Sequence, residues 1–305
     1  MITVALLIGG MLAGGANGRA ATPGEVTVFE AAAVRGNALL APMDARRTGL
    51  GEAFVAAGDD GSAAGNPAGL GQVTRPGVFG SYHRAGSAYN ATHAGVAVPL
   101  GPGTLAAGFS YFDLGRPDLR DADGWGLSPQ SFYDYALFLG WGMANPGWTG
   151  IPGWMGVSVE AVQEGVGGAA EAVTFGEVVP LGDKLKAGVM VEHLGVKLDG
   201  YALPSAGRIG AVYQVAPTLD GAVDVRYGFT DRQTDLAVGF EAFRDRALQL
   251  RAGYRVQSPS LGAGSMAGLS FGVGARWKGF HLDYAFQSYG DIGSGQFVTL
   301  GWGGR

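Results

Sequence analysis

Over most of its length this sequence alternates with a period of two, and that pattern leaves few folds open. Between Gly279 and Ser288, the residues Phe280, Leu282, Tyr284 and Phe286 fall on one side. His281, Asp283, Ala285 and Gln287 fall on the other. Leu269, Phe271, Val273, Ala275 and Trp277 alternate in the same way with Ser270, Gly272, Gly274 and Arg276. Two further runs, Leu248 to Val256 and Val223 to Phe229, repeat the pattern. Successive strand side chains point to opposite faces, so this predicts strands with one apolar and one polar face. Turn signals punctuate the runs at Pro99-Leu100-Gly101-Pro102-Gly103, Pro180-Leu181-Gly182-Asp183, Ala216-Pro217 and Lys278-Gly279.

Candidate strands fall near 75–83, 90–98, 104–113, 132–142, 154–163, 170–178, 184–193, 207–215, 219–229, 234–242, 247–256, 267–276, 280–288 and 295–302, fourteen in all. Strand plus connection averages about 16 residues, which suits membrane strands of roughly 9–11 residues. The longer connections, Asp113–Ser131, Asn145–Gly153, Leu194–Gly207 and Gln257–Met266, are expected together at one rim, with short turns at the other. The fold class expected is all-β: a transmembrane antiparallel β-barrel of fourteen strands with a small N-terminal hatch-like segment.

A barrel this wide cannot be filled by wall side chains, so its interior is wet or plugged. The polar faces carry Glu192, Arg208, Asp224, Arg226, Glu241, Arg251, Arg255, Arg276 and Asp283. Such charges are costly against lipid, so they are assigned to the lumen, in ladders across neighbouring strands. Tyr82, Phe132, Tyr133, Trp141, Trp277, Tyr289 and Trp302 stand near strand ends as candidate interfacial girdles. The competing architecture is a soluble exported β-sandwich, which would carry more Lys and Glu on its outward faces.

Composition narrows the function. The 305 residues include 56 Gly, 14 Pro and no Cys, with 15% charged and 47% hydrophobic. The absence of Cys removes disulfides and thiol chemistry. A net charge of −5 without a basic patch argues against nucleic acid as a partner. Val4 to Ala16 form an apolar run followed by small residues, which reads as a secretory signal. The expected organisation is a signal peptide over 1–20, an N-terminal segment and hatch over 21–73, and a barrel over 74–305. Asp118, Asp121 and Asp123 before Gly124 do not fit the calcium-loop spacing. His83, His93, His193 and His281 lack metal-binding spacing, and no Gly-x-Ser-x-Gly elbow is present. No metal, cofactor or catalytic residue is therefore assigned.

The segment from Asp44 to Leu70 carries Gly49-Leu-Gly51, Ala53-Phe-Val-Ala56, Asp59-Asp60 and Asn66-Pro-Ala-Gly-Leu70. It resembles the opening of the PorV/PorQ family of outer-membrane proteins, itself similar to the FadL-type transporters. Val191 to Leu198 with Leu203-Pro204, Val238 to Tyr254, and Leu282-Asp-Tyr-Ala-Phe286 resemble later stretches of the family in the same order. The resemblance implies a bacterial outer-membrane location, lipid as surroundings, and a hatch tucked into the barrel. The hatch positions it marks are Gly49, Gly51, Asp59, Asp60, Asn66, Pro67, Gly69 and Leu70. Physically, Asn66-Pro67 is a turn signal, and the small residues before it suit a confined space.

Two non-enzymatic roles follow from the resemblance. One is a secretion-associated platform of PorV type, with secretion-system components or exported proteins as partners; this is the reading taken. The alternative is a FadL-like passive channel for small hydrophobic molecules, in which the hatch shifts and ligand leaves through the wall. Trp125, Leu127, Trp148, Ile151 and Trp154 are candidates for an apolar mouth formed by the loops. A continuous apolar path through the hatch would favour the channel, and a lumen sealed by Arg–Asp pairs would favour the platform.

Overall fold

The computed structural model describes residues 36–57, 65–86, 89–115, 132–148, 150–165, 168–258 and 266–303. The proposed signal segment 1–20 lies outside them, as do Asp59, Asp60, Asp118, Asp121, Asp123, Trp125 and Leu127. Two short helices, α1 (Asn37–Leu40) and α2 (Ala45–Gly49), and a 3-10 turn (Pro67–Gln72) precede the wall.

The wall runs β1 (Gly77–Ala85), β2 (Tyr89–Leu100), β3 (Gly103–Gly115), β4 (Phe132–Asn145), β5 (Gly153–Glu164), β6 (Ala169–Pro180) and β7 (Leu185–Gly195). It continues through β8 (Ala206–Ala216), β9 (Leu219–Gly228), β10 (Thr234–Ala242), β11 (Leu248–Ser258), β12 (Leu269–Trp277), β13 (Phe280–Ser288) and β14 (Ser294–Gly303). Each strand pairs antiparallel with its sequence neighbours, and β1 pairs with β14 from Gly77↔Gly303 to Ala85↔Gly295. The fourteen strands form a closed barrel. Closure satisfies every edge, which a chain crossing lipid by strands requires.

The alternation resolves into two faces. Leu137, Leu139, Val159, Phe175, Leu250, Phe271, Leu282 and Leu300 are exposed on the outer face. Their strand neighbours Ser158, Glu160, Thr174, Gln249, Arg251, Asp283 and Thr299 are buried inside. An apolar outside and a polar inside is the pattern of a wall solvated by lipid, the reverse of a soluble sandwich. Trp141, Trp277 and Trp302 stand on this outer face near the strand ends, and Tyr111 and Tyr133 stack there at 6.0 Å. Tyr289 does not join them: its hydroxyl meets Nε2 of the inward-facing His83 at 3.2 Å, because the turn after β13 folds over the lumen. Burial raises the pKa of the Tyr289 phenol, so it remains protonated.

Rim assignment follows strand parity. The strand ends that flank 116–131, 196–205 and 259–268 stand at one rim, hereafter the upper rim. The connection 146–152 lies at the other, with the short turns 101–102, 217–218 and 278–279. Expecting all four longer connections at one rim was therefore wrong for Asn145–Gly153, since connection length only correlates with side whereas the up–down order fixes it.

Residues 36–57 and 65–73 occupy the lumen. They form little regular structure, so their backbone groups need partners. The polar inner wall supplies these. Gly36 N–H donates to Glu164 at 3.1 Å, and Asn37 N–H to Asp134 at 3.0 Å. Ser110 donates to the Ala38 carbonyl at 2.9 Å, and Ala45 N–H donates to Thr299 Oγ1 at 2.9 Å. Wall glycines admit the segment's backbone: a Cβ at Gly156 would collide with Pro67, and one at Gly253 with the backbone of Leu50 and Gly51. Gly51 itself has φ +66° and lies against the Tyr254 backbone, two reasons for glycine there.

This close approach makes a prediction. Gly253→Val adds a branched side chain where no space exists, at a cost of about 1–3 kcal/mol. The expected outcome is a barrel with unchanged far-UV circular dichroism whose inner segment is cut by protease near residues 49–57. Wild-type resistance in the folded variant would show that the segment does not dock against β11.

Candidate functional site

A cavity of about 680 Å³ lies between the inner segment and the wall, on the upper-rim side of α2. Leu39, Met43 and Phe54 of the inner segment, with Met190 of β7 and Tyr89 of β2, give it apolar surface. Charged groups of β7 to β11 face the same space. The Phe54 ring sits between two guanidinium groups, Arg47 at 4.7 Å and Arg208 at 5.1 Å from its centroid. Such stacking lets arginine cover an aromatic face without losing its ion pair.

The charges form a ladder across adjacent strands. Glu192 accepts from Arg208 at 3.1 Å and from Arg226 at 3.0 Å. Arg226 also meets Asp231 at 3.3 Å and Asp235 at 3.8 Å, and Arg255 closes on Asp235 at 2.8 Å. Three arginines thus face three carboxylates, and the ladder offers no net charge to a ligand. A second ladder lies deeper. Arg46 of α2 makes a two-pronged contact with Glu241 at 3.0 and 2.8 Å. Arg251 bridges Glu241 at 2.8 Å and Asp283 at 2.5 Å. These links join the inner segment to β10, β11 and β13, so the lumen at that level is closed by charge pairs.

The wall bears an irregularity beside the cavity. Val173 pairs with Leu194, but Phe175 pairs with Val191, so β7 bulges at Glu192 and His193. His193 takes φ 55°, a left-handed conformation costing about 1–3 kcal/mol. Its N–H donates to Thr174 Oγ1 at 3.0 Å, and its Nδ1 lies 2.6 Å from Glu160. The bulge turns the Glu192 and His193 side chains together toward the cavity, where a regular strand would send one outward.

The residues singled out from sequence fall as follows. Glu192, Arg208, Asp224, Arg226, Glu241, Arg251, Arg255, Arg276 and Asp283 are all on inner-face positions of their strands. Gly49, Gly51, Asn66, Pro67, Gly69 and Leu70 are buried in the lumen. Asn66 accepts from Ala68 N–H at 3.1 Å and donates to the Val55 carbonyl at 2.7 Å, joining two stretches of the inner segment. Of the five residues proposed for an apolar mouth, Trp125 and Leu127 lie outside the described residues. Trp148 and Ile151 are exposed in the connection 146–152 at the lower rim, and Trp154 lies below the 3-10 turn, 5.2 Å from Lys186. The 116–131 connection, which contains Trp125 and Leu127, starts and ends at the upper rim.

Sequence reasoning missed Arg47, Phe54 and Met190, which shape the cavity. The one available signal was Arg46-Arg47 within an otherwise small-residue stretch. Asp224 was identified as a lumenal charge but without its partner. Its Oδ2 accepts from Phe54 N–H at 2.7 Å and Val55 N–H at 2.9 Å.

The architecture has solved counterparts. The Pseudomonas putida toluene transporter TodX superposes with TM-score 0.57 at 12% identity, over 84% of this chain and 95% of that one. A Pseudomonas aeruginosa FadL homologue gives TM-score 0.57 at 13% identity, over 86% and 98%. The CymD monoaromatic hydrocarbon channel gives 0.55 at 13%, over 85% and 96%. The fold is FadL-like. No protein-family model matches the sequence, and no curated protein matches it.

Asp224 makes the attachment of this segment testable. Asp224→Ala leaves two buried N–H groups without an acceptor, at about 1–3 kcal/mol each. Hydrogen exchange at Phe54 and Val55 is expected to rise at least tenfold, with the strand amides of β8 and β9 still protected. Unchanged exchange at both positions would rule out Asp224 as the latch.

Proposed function

We propose that the chain is a bacterial outer-membrane channel that passes small, uncharged hydrophobic molecules without catalysis. The observation that carries this is the upper cavity, with apolar residues from both inner segment and wall beside a charge ladder balanced within itself. A neutral apolar ligand gains burial there without breaking an ion pair. The FadL-like fold supports it, since TodX and CymD are described as a toluene transporter and a monoaromatic hydrocarbon channel. Residues 36–57 and 65–73 act as the hatch, and passage requires them to shift, because Arg46–Glu241 closes the lumen beneath the cavity. The secretion-associated reading implied by the PorV/PorQ resemblance gains no comparable support, although charge pairs do bridge the lumen.

The test is reconstitution in liposomes with toluene as probe, and in planar bilayers for conductance. Wild-type barrels are expected to speed toluene equilibration over empty liposomes. Met190→Asp, which puts a carboxylate into the apolar part of the cavity, is expected to cut that rate at least tenfold, while Met190→Leu retains it. A folded barrel that leaves toluene flux at the empty-liposome level would sink the channel reading.

The hatch assignment has its own measurement. Replacing Asn66 and Pro67 together by Ala removes the bridge to Val55 and the fixed turn. Single-barrel leak conductance is expected to rise severalfold. Conductance equal to wild type in a folded variant would mean that residues 66–73 are not part of the plug.

A further inference from the structure

A second cavity, of about 430 Å³, lies on the other side of α2 and opens at the lower rim. One cross-strand row builds its wall: Arg276 of β12 stands beside His281 of β13, His281 beside Gly301 of β14, and Gly301 beside Phe79 of β1. A Cβ at Gly301 would collide with the His281 ring, so the bare backbone there is what lets the imidazole lie against β14. The roof is the start of α2, pinned by the Ala45–Thr299 hydrogen bond. The turns 243–247 and 278–279 form the lip and add Arg246 and Lys278.

The charges here are not balanced as they are above the hatch. The carboxylates lining this cavity already have partners. Asp44 pairs with Arg47 at 3.0 Å, Asp283 with Arg251 at 2.5 Å, and Asp245 lies 3.8 Å from Arg244. Arg46 is engaged by Glu241. Arg276 makes no side-chain hydrogen bond or ion pair among the described residues, and its Nε is buried without an acceptor. Arg246 and Lys278 likewise make no ion pair among the described residues, although Asp44, Asp245 and Asp283 share the cavity. A buried, unsatisfied guanidinium N–H is costly, and several uncompensated positive groups around one cavity make an anion its natural complement.

We infer that this lower cavity is a binding site for a small organic carboxylate. The guanidinium of Arg276 donates to the carboxylate oxygens in the planar, forked geometry that suits this pair. The organic part packs against Phe79, whose ring faces the same cavity. The site lies on the far side of the hatch from the upper cavity and does not depend on what passes through the barrel.

The experiment is calorimetric titration of the full chain in detergent, with benzoate as the carboxylate probe and inorganic phosphate and toluene as comparators. The expected result is one benzoate per barrel, bound at least tenfold more weakly by Arg276→Gln and partly recovered by Arg276→Lys. Phe79→Ala is expected to weaken benzoate severalfold. Saturating toluene is expected to leave benzoate binding unchanged, which separates this site from the upper cavity whether or not toluene is transported. Wild-type benzoate affinity in folded Arg276→Gln would overturn the assignment, as would displacement by toluene or no binding to the folded wild type. Should Arg276→Gln not fold, Arg276→Lys and Phe79→Ala decide: affinity unchanged in both overturns the proposal. Phosphate matching benzoate, with both lost in Arg276→Gln, would make this an inorganic-anion site and overturn the organic part.

Discussion

A fourteen-strand wall encloses more space than its own side chains can fill, and the rest of this structure follows from that surplus. Something must occupy the lumen, and here it is the chain's own residues 36–57 and 65–73. A segment with so little helix brings many unpaired backbone groups into a space partly shut off from water. They can be accommodated only where the wall presents hydrogen-bonding side chains, and Glu164, Asp134, Ser110, Thr299 and Asp224 do so. The polar half of the strand alternation is thus not merely the half excluded from lipid; it is the surface on which the hatch is assembled. The glycines of the inner face serve the same end by opening notches where backbone meets backbone.

The hatch also divides the charge of the lumen into two unlike halves. Above it, Arg208, Arg226 and Arg255 are matched in number by Glu192, Asp231 and Asp235, so the ladder offers no net charge to a ligand. Below it, acids bind elsewhere and Arg276 is left over. The upper half draws on β7 to β11 and the lower on β12 to β14 and β1, and the middle ladder of Glu241, Arg251 and Asp283 joins the two. Asp283 could have served Arg276, its near neighbour on the wall, but is held by Arg251. A single choice of partner in the middle ladder therefore sets the character of the lower cavity.

Much of this was legible in the sequence, and the reasons are physical. Strand alternation is local, so the strand near 234–242 emerges as Thr234–Ala242 and that near 207–215 as Ala206–Ala216. The assignment of charges to the inner face came from the cost of placing them against lipid, which does not depend on knowing their partners. What was not legible needed distance information. Phe54 and Asp224 are 170 residues apart, and no local pattern announces that a carboxylate on one strand will clasp two amides of the hatch. Connection length misled where strand parity would not have: Asn145–Gly153 is long but lies at the short-turn rim. Tyr289 was placed in a girdle because it is aromatic and near a strand end. The turn that carries it bends inward, a property of turn geometry that residue type does not encode.

The way the hatch is attached bears on how it can open. Its bonds to the wall are mostly single hydrogen bonds between a side chain and a backbone group, spread over β3 to β14, with one strong anchor at Arg46–Glu241. None of them belongs to the ladder that closes the barrel. The strand–strand pairing of the wall runs between wall strands alone. Releasing the hatch therefore costs the sum of its own modest attachments and leaves the cooperative structure of the wall intact. An element attached in this way belongs to the low-stability end of a fold. A plug woven into the sheet would have been more stable, but it could open only by breaking the barrel.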